Sequence, residues 1–235
     1  MGSYKTKVVI SGDIIEVYDY ENSVPYGYTD TKKGSSGRQV IASLEDQEKN
    51  REKVLSRARK NLRRIINSNV QKYSKFLTLT FKDNVQDLGV ANYEFKKFIL
   101  RVNYNYKIKL KYSVVIEFQE RGAIHYHCVF YNLTQKIDVA ILGDLWGNGF
   151  IRINAIDNVD NVGAYVCKYM TKVQDDRLKG KKMYFNSRGI NKPQEIKDPV
   201  TVNTLVGALQ KQSPTYENTF TNEYNSINYK QYNIK

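Results

Sequence analysis

Cysteine, histidine and long apolar segments are scarce in this chain of 235 residues, which has two Cys, two His, four Pro and one Trp. Cys128 and Cys167 are too few for a disulfide framework or a four-cysteine zinc site. No apolar run approaches the roughly 20 residues of a membrane span, and the N-terminus lacks the regions of a signal peptide. We therefore expect a cytoplasmic protein that has no membrane segment.

Acidic residues are also few, because 24 Asp and Glu face 37 Lys and Arg, which gives a formal net charge of +13. Such an excess indicates a polyanionic partner. The 19 tyrosines have two interpretations. They can reflect an AT-rich coding sequence, or they can form surfaces where tyrosine stacks on bases while lysine binds phosphates.

The order of elements predicts an α+β fold in which a central antiparallel sheet carries helices on one face. We expect one domain with three parts: an N-terminal hairpin and basic helix over about 1–70, a core over about 72–190 and a C-terminal extension over about 191–235. Turn signals over 21–40 predict a flexible connection. Core strands are predicted over about 76–81, 111–118, 123–131, 150–153 and 183–185.

A basic amphipathic helix is predicted over about 44–67, with apolar residues at helical spacing on one side. Its other sides are rich in basic residues, among them Arg57 and Arg64. Two interpretations remain open, a solvated surface helix or a helix that binds the DNA backbone.

The two histidines, His125 and His127, stand two residues apart on a predicted strand. Residues i and i+2 of a strand point to one face, so the two imidazoles can bind one metal ion, although a pair of ordinary polar residues is the alternative. If the preceding loop has three residues, Glu117 pairs with His125 and completes an open site. Such a site suits Mn²⁺ or Mg²⁺, with Zn²⁺ or Co²⁺ as further options. If the loop has two residues, Glu117 turns away, and Gln119 or Glu120 becomes the third ligand.

A predicted helix places two tyrosines and two lysines on one side. Tyr165 and Tyr169 are i,i+4 neighbours, and Lys168 and Lys172 flank them. Adjacent cations favour the phenolate and stabilise a phosphoryl transition state, and a covalent tyrosine link conserves bond energy. The alternative is a basic surface helix with two half-buried tyrosines.

This tyrosine helix is expected to be capped by Asp157 or Asn158, since both residue types satisfy free amide groups at a helix start. We expect it to end near Val173.

Three segments in this order, Phe76–Phe81, Ala123–Phe130 and Ala164–Lys172, resemble the HUH endonucleases, in particular the rolling-circle replication initiators of small phages and plasmids. The first segment is similar to a central strand of that family. The second has its His–hydrophobic–His metal motif, with tyrosine in the middle. The third has its Tyr-x-x-Lys nucleophile motif twice, as in initiators with two tyrosines. The resemblance covers about 76–173, which is under half of the chain.

The resemblance implies a ferredoxin-like core, related to the RRM fold, that nicks a replication origin read as a single strand. Tyr165 is then the nucleophile that forms a 5′-phosphotyrosine link and releases a 3′-OH, and Tyr169 makes a second cut. Lys168 and Lys172 stabilise charge on the phosphate or the phenolate. The metal ion is Mn²⁺ or Mg²⁺, held by the two histidines and Glu117.

The DNA contacts expected beyond this centre are basic residues. Arg121 lies on the hairpin loop, Arg188 lies in the segment 184–189, which is similar to one in bacterial phage and plasmid initiators, and Arg57 and Arg64 lie on the basic helix. The partners implied are origin DNA and a DNA polymerase of a bacterial host. Because the chain has no phosphate-loop motif, we expect no helicase domain and a helicase supplied by the host.

Two other classes of function compete with this interpretation. A non-catalytic protein that binds single-stranded DNA would use the same tyrosines for stacking. A relaxase or transposase of the HUH type is the second alternative, although the tyrosines follow the histidine pair and are doubled.

Overall fold

The structure is a computed structural model, and it describes residues 2–27, 43–134, 137–154, 156–170, 176–178 and 180–235. Ten strands lie in these residues: β1 (Gly2–Ser11), β2 (Ile14–Tyr26), β3 (Lys75–Thr80), β4 (Tyr112–Phe118), β5 (Ile124–Phe130), β6 (Ile151–Asn154), β7 (Tyr184–Asn186), β8 (Gln194–Ile196), β9 (Tyr216–Thr221) and β10 (Ser226–Asn233). The same residues form five α-helices: α1 (Leu44–Asn67), α2 (Leu88–Tyr106), α3 (Val139–Trp146), α4 (Val162–Cys167) and α5 (Pro199–Leu209). All strand pairs are antiparallel, so the predicted α+β class is confirmed. Within the described ranges, every helix is too short or too polar to cross a bilayer.

The chain divides into two compact units, one made of Met1–Arg57 with Pro193–Lys235 and the other of Ala58–Lys192. Each unit contains one five-stranded sheet. The N-terminal hairpin and the C-terminal extension, which the sequence treats as separate parts, form one sheet because β10 pairs with β2.

The first unit has the strand order β8-β1-β2-β10-β9. One face of its sheet packs under α5 through a cluster of buried side chains: Val8, Ile15, Val17, Val202, Leu209 and Tyr232. The other face buries the carboxylate of Glu16, which accepts hydrogen bonds from Tyr18 Oη at 3.2 Å and from Tyr229 Oη at 2.8 Å. Phenol donors therefore satisfy this buried acid.

The second unit has the strand order β6-β3-β5-β4-β7. Strand β3 alternates apolar and polar side chains, and Leu77 and Leu79 are fully buried in a core that includes Phe98 of α2 and Trp146 of α3. Burial of each such side chain contributes roughly 1.5–3 kcal/mol. The two longer helices of this core thus cover one face of the sheet.

Helix α4 lies over the opposite face, since the ring of Tyr165 contacts Phe76 of β3 with centroids 5.5 Å apart. The predicted cap of this helix is wrong. Residues 157–160 form turns, and Asn161 caps the helix by accepting a hydrogen bond from Ala164 N at 2.9 Å. The predicted end near Val173 lies outside the described residues.

Most other predicted elements are confirmed within a few residues, including the basic helix, which is α1. The exception is the connection predicted over 21–40. Strand β2 continues to Tyr26, where Gly2 is its partner on β1, because backbone pairing with β1 overrides the local turn signals. Residues 28–40 of that connection lie outside the described part of the chain.

Candidate active site

The hairpin of β4 and β5 brings together three side chains that could hold a metal ion. Glu117 pairs directly with His125, which is the register of the three-residue loop. Because alternate residues of a strand share a face, Glu117, His125 and His127 project to the same side, and their ligand atoms lie within 4.8 Å of one another. Glu117, rather than Gln119 or Glu120, therefore joins the imidazoles.

The loop of this hairpin is attached to the end of β3. It closes through a hydrogen bond from Gln119 N to Ala123 O at 2.8 Å, and Gly122 has φ of +90°, a conformation that favours glycine. The guanidinium of Arg121 donates to Phe81 O at 2.7 Å and to Gln119 Oε1 at 3.0 Å. Arg121 is exposed at the surface, but part of its donor capacity holds the loop in place.

His125 has the features of a metal ligand. Its Nε2 is buried and meets no hydrogen-bond partner among the described residues, although buried polar atoms are normally paired. Burial, the nearby His127 and Arg121 lower the pKa of His125 to about 4, against the opposing effect of Glu117. The ring is therefore neutral at pH 7, which is the form that binds metal ions.

His127 is held from two sides. Its Nδ1 forms a hydrogen bond of 3.2 Å with Thr78 Oγ1, and its Nε2 contacts a carboxylate oxygen of Glu117. A partner on the second ring nitrogen orients a metal-binding imidazole. Thr78 was not among the predicted site residues. Thr78 pairs with His127 across the two strands. The alternation of Leu and Thr, which puts the threonines on the polar face of β3, was the sequence feature that could have predicted this contact.

Both tyrosines lie beside this centre. The ring of Tyr169 stacks on His127 with centroids 3.9 Å apart, and Tyr165 meets Tyr169 edge to face at 6.1 Å. Phe76 lies under them, 5.5 Å from Tyr165 and 5.4 Å from Tyr169. The site thus joins two phenols to the imidazole pair, and Phe76 is a second contributor that was not predicted.

The two phenols differ in their surroundings. Burial and a hydrogen bond with Tyr165 raise the pKa of Tyr169 to about 12, so Tyr169 keeps its proton at neutral pH. Lys168 is exposed, and its Nζ lies 5.9 Å from the ring centroid of Tyr165. The predicted proximity of Tyr165, Tyr169 and Lys168 is confirmed, whereas Lys172 lies outside the described residues.

Helix α4 is tied to α1 by side-chain amides. Asn67 Oδ1 accepts a hydrogen bond from Gly163 N at 2.7 Å, and Asn67 Nδ2 donates to Asn161 Oδ1 at 2.9 Å. Gly163 lies so close to α1 that a Cβ there would stand 2.2 Å from Arg63 O. These contacts fix the start of α4, which begins at Val162, three residues before Tyr165.

The other predicted DNA contacts are spread over both units. Arg57 is exposed in the first unit, Arg188 is exposed in the second, and Arg64 is half-buried in the second. Their contacts with DNA remain predictions.

The segment that holds this site is similar to a known protein family. Residues 74–174 match the family model of the replication-associated protein ORF2/G2P. The match covers less than half of the chain and includes the triad and both tyrosines. No curated protein and no solved structure matches the chain. The family match supports a role in DNA replication and is consistent with a replication initiator.

Proposed function

We propose that this protein is an HUH-type replication initiator that cuts origin DNA, read as a single strand, with Tyr165 and later rejoins it. The observation that carries the proposal is the stacking of Tyr169 on His127 at 3.9 Å, with Tyr165 against Tyr169. It puts two candidate nucleophiles beside a set of metal ligands, inside the segment that matches a replication-associated family.

Glu117, His125 and His127 fit a divalent metal ion, Mn²⁺ or Mg²⁺, because they offer two neutral nitrogens and one carboxylate and because His125 Nε2 has no partner among the described residues. Three protein ligands leave positions open for phosphate oxygens. When bound, such an ion supplies Lewis-acid polarisation of a phosphate.

We assign the first attack to Tyr165, because Lys168 Nζ lies 5.9 Å from its ring centroid. Tyr169 retains its proton, since burial and the hydrogen bond with Tyr165 raise its pKa to about 12. A hydroxyl that keeps its proton can stabilise a neighbouring phenolate by hydrogen bonding. Tyr169 then serves the second cut, once Tyr165 is esterified.

The reaction is a transesterification. The phenol oxygen of Tyr165 forms a bond to the scissile phosphorus, the bond from phosphorus to the 3′-oxygen breaks, and the phenol proton passes to the released 3′-OH. Lys168, with Nζ 5.9 Å from the Tyr165 ring, stabilises negative charge on the phenolate or the phosphate. Lys172 contributes in the same way. A host polymerase extends the 3′-OH, and a host helicase opens the duplex.

The test is a covalent-adduct assay. Labelled single-stranded DNA from both strands of the protein's own replicon is incubated with the full chain in Mn²⁺ or in EDTA and separated on denaturing gels. We expect an adduct that needs the metal and is lost in Tyr165→Phe. Tyr104→Phe is the matched control, because Tyr104 is 88% exposed on α2 and should react normally.

The remaining variants separate the roles of the tyrosines. Loss of the adduct only in the Tyr165→Phe, Tyr169→Phe double variant would mean that the two tyrosines are interchangeable, which still supports nicking. Tight binding without an adduct on either strand would overturn the enzyme and leave a protein that binds single-stranded DNA.

A further inference from the structure

A cleft of about 780 Å³ opens beside the metal-ligand triad at the loop end of the β4–β5 hairpin. Two members of the triad, Glu117 and His125, line it together with aromatic, amide and charged groups: Phe118, Gln119, Glu120, Arg121 and Arg177. Pockets for small ligands have volumes of about 300–1,000 Å³, so this cleft has room for one nucleotide.

Arg177 forms a planar surface in this cleft. Its guanidinium carbon lies 4.0 Å from the ring centroid of Phe118, and Nη1 donates to Gly122 O at 3.2 Å. The ring and the loop carbonyl therefore hold the guanidinium in one orientation, although the residue is exposed. Guanidinium planes stack on nucleobases, and Arg177 lies beyond the segment 74–174 that matches the family.

The cleft and the tyrosines lie at opposite ends of the triad. Tyr165 contacts Phe76, which pairs with Val129 of β5, whereas His125, four residues earlier on the same strand, lines the cleft. His127 lies between them, with its ring centroid 6.2 Å from that of His125. A phosphate bound at the triad thus has the phenols on one side and the cleft on the other.

Displacement at phosphorus is in line, so the leaving oxygen departs opposite the attacking one. If Tyr165 attacks from its side of the triad, the 3′-oxygen leaves toward the cleft. That oxygen belongs to the nucleotide on the 5′ side of the cut.

We infer that the cleft binds the nucleotide on the 5′ side of the cut, with its base stacked on Arg177 and its edge facing Gln119 and Glu120. Amide and carboxylate groups hydrogen-bond base edges, so this site selects the base whose 3′-OH becomes the primer end. The inference rests on the proposed function, because it needs Tyr165 as the nucleophile.

The test reads stacking without turnover. The Tyr165→Phe protein is titrated with the nicked strand carrying the fluorescent base 2-aminopurine on the 5′ side of the mapped cut or on the 3′ side. We expect quenching on the 5′ side that is lost in Arg177→Ala and in Arg177→Lys, with binding about tenfold weaker. Lysine keeps the charge and removes the planar surface, and Lys181→Ala, an exposed neighbour, is the matched control that should keep the quenching.

The outcomes separate the inference from the proposed function. If the adduct forms in Mn²⁺ but the 5′ quenching survives in both Arg177 variants, the inference is overturned and the proposed function stands. Quenching that depends on Arg177 only on the 3′ side would have the same meaning. If the unmodified protein forms no adduct, both the inference and the proposed function are overturned. Thermal unfolding of each variant checks that lost quenching is not lost structure.

Discussion

Residues 58–192 carry 24 of the 37 basic residues and 11 of the 24 acidic ones, whereas the rest of the chain carries 13 of each. The unit with the metal-ligand triad therefore holds the entire net charge of +13, and the other unit is neutral. A concentrated positive charge attracts polyanions and directs them to the surface that carries it. We therefore expect DNA to bind mainly to the second unit, although both units contain an antiparallel sheet of five strands.

Each unit also buries one sheet carboxylate in a different environment. Glu16 accepts hydrogen bonds from two phenols, Tyr18 and Tyr229, whereas Glu117 contacts the imidazole of His127. The phenols satisfy their acid, while the imidazole offers a nitrogen that a metal ion can bind. Burial alone thus does not determine what a carboxylate can bind, because the neighbouring side chains decide its chemistry.

The largest effect is expected from alanine at the helical glycines of the two units. Gly163→Ala should lower the free energy of unfolding by about 3 kcal/mol or more, because its Cβ would stand 2.2 Å from Arg63 O. Gly207→Ala, where no described atom lies within 4 Å of that Cβ, should raise it by about 0.5–1 kcal/mol. Urea unfolding measures both, and equal effects would contradict the close packing of α4 on α1.

The next largest change in stability is expected from substitution of the two buried acids, Glu117 and Glu16, and from addition of Mn²⁺. Mn²⁺ at about 100 times its dissociation constant should raise the stability of the parent protein by about 2.7 kcal/mol, and Glu117→Gln should abolish that gain. Glu16→Gln should lower the stability in EDTA by about 1–3 kcal/mol and keep the gain with Mn²⁺. Thermal unfolding with and without Mn²⁺ distinguishes the two, and loss of the gain in Glu16→Gln would break the comparison.

A smaller loss of stability to unfolding is expected when the pH is lowered in the presence of EDTA. The pKa of His125 is lowered to about 4 in the folded protein and is about 6.5 when unfolded, so the unfolded state binds the proton more tightly. Stability contributed by neutral His125 is present above about pH 6.5 and is lost as the pH falls toward 4, by about 2 kcal/mol after allowance for its partial exposure. Both histidines lie in the second unit. Urea unfolding of His125→Gln should therefore show a flatter decline than the parent, and an unchanged decline would contradict a depressed pKa.

The smallest effect is expected from two exposed arginines, one in each unit. Arg188→Ala should reduce the slope of log binding constant against log salt concentration by about 0.7 for single-stranded DNA. Arg57→Ala tests the predicted contact in the neutral unit, where we expect a smaller reduction because acidic residues balance the surrounding positive charge. Fluorescence anisotropy at several salt concentrations measures both slopes, and an equal reduction in Arg57→Ala would extend the DNA surface to the first unit.

Local patterns were enough for many features of this chain. The alternation of Leu and Thr marked β3, the spacing of His125 and His127 put both rings on one face, and the spacing of Tyr165 and Tyr169 made them neighbours. These patterns work because side-chain direction follows from backbone periodicity within a single element.

Contacts between distant segments required the tertiary structure. The register of β4 and β5 showed that Glu117 lies on the same face as the two histidines, and the pairing of β3 with β5 brought Thr78 to His127. The cap of α4 is Asn161 and not the predicted Asp157 or Asn158, and Asn161 accepts a hydrogen bond from Asn67, which is 94 residues away. Strand β2 pairs with β10, and this pairing joins the two ends of the chain in one unit. The local sequence of either strand does not predict the pairing, since each could form its backbone hydrogen bonds equally well with another strand.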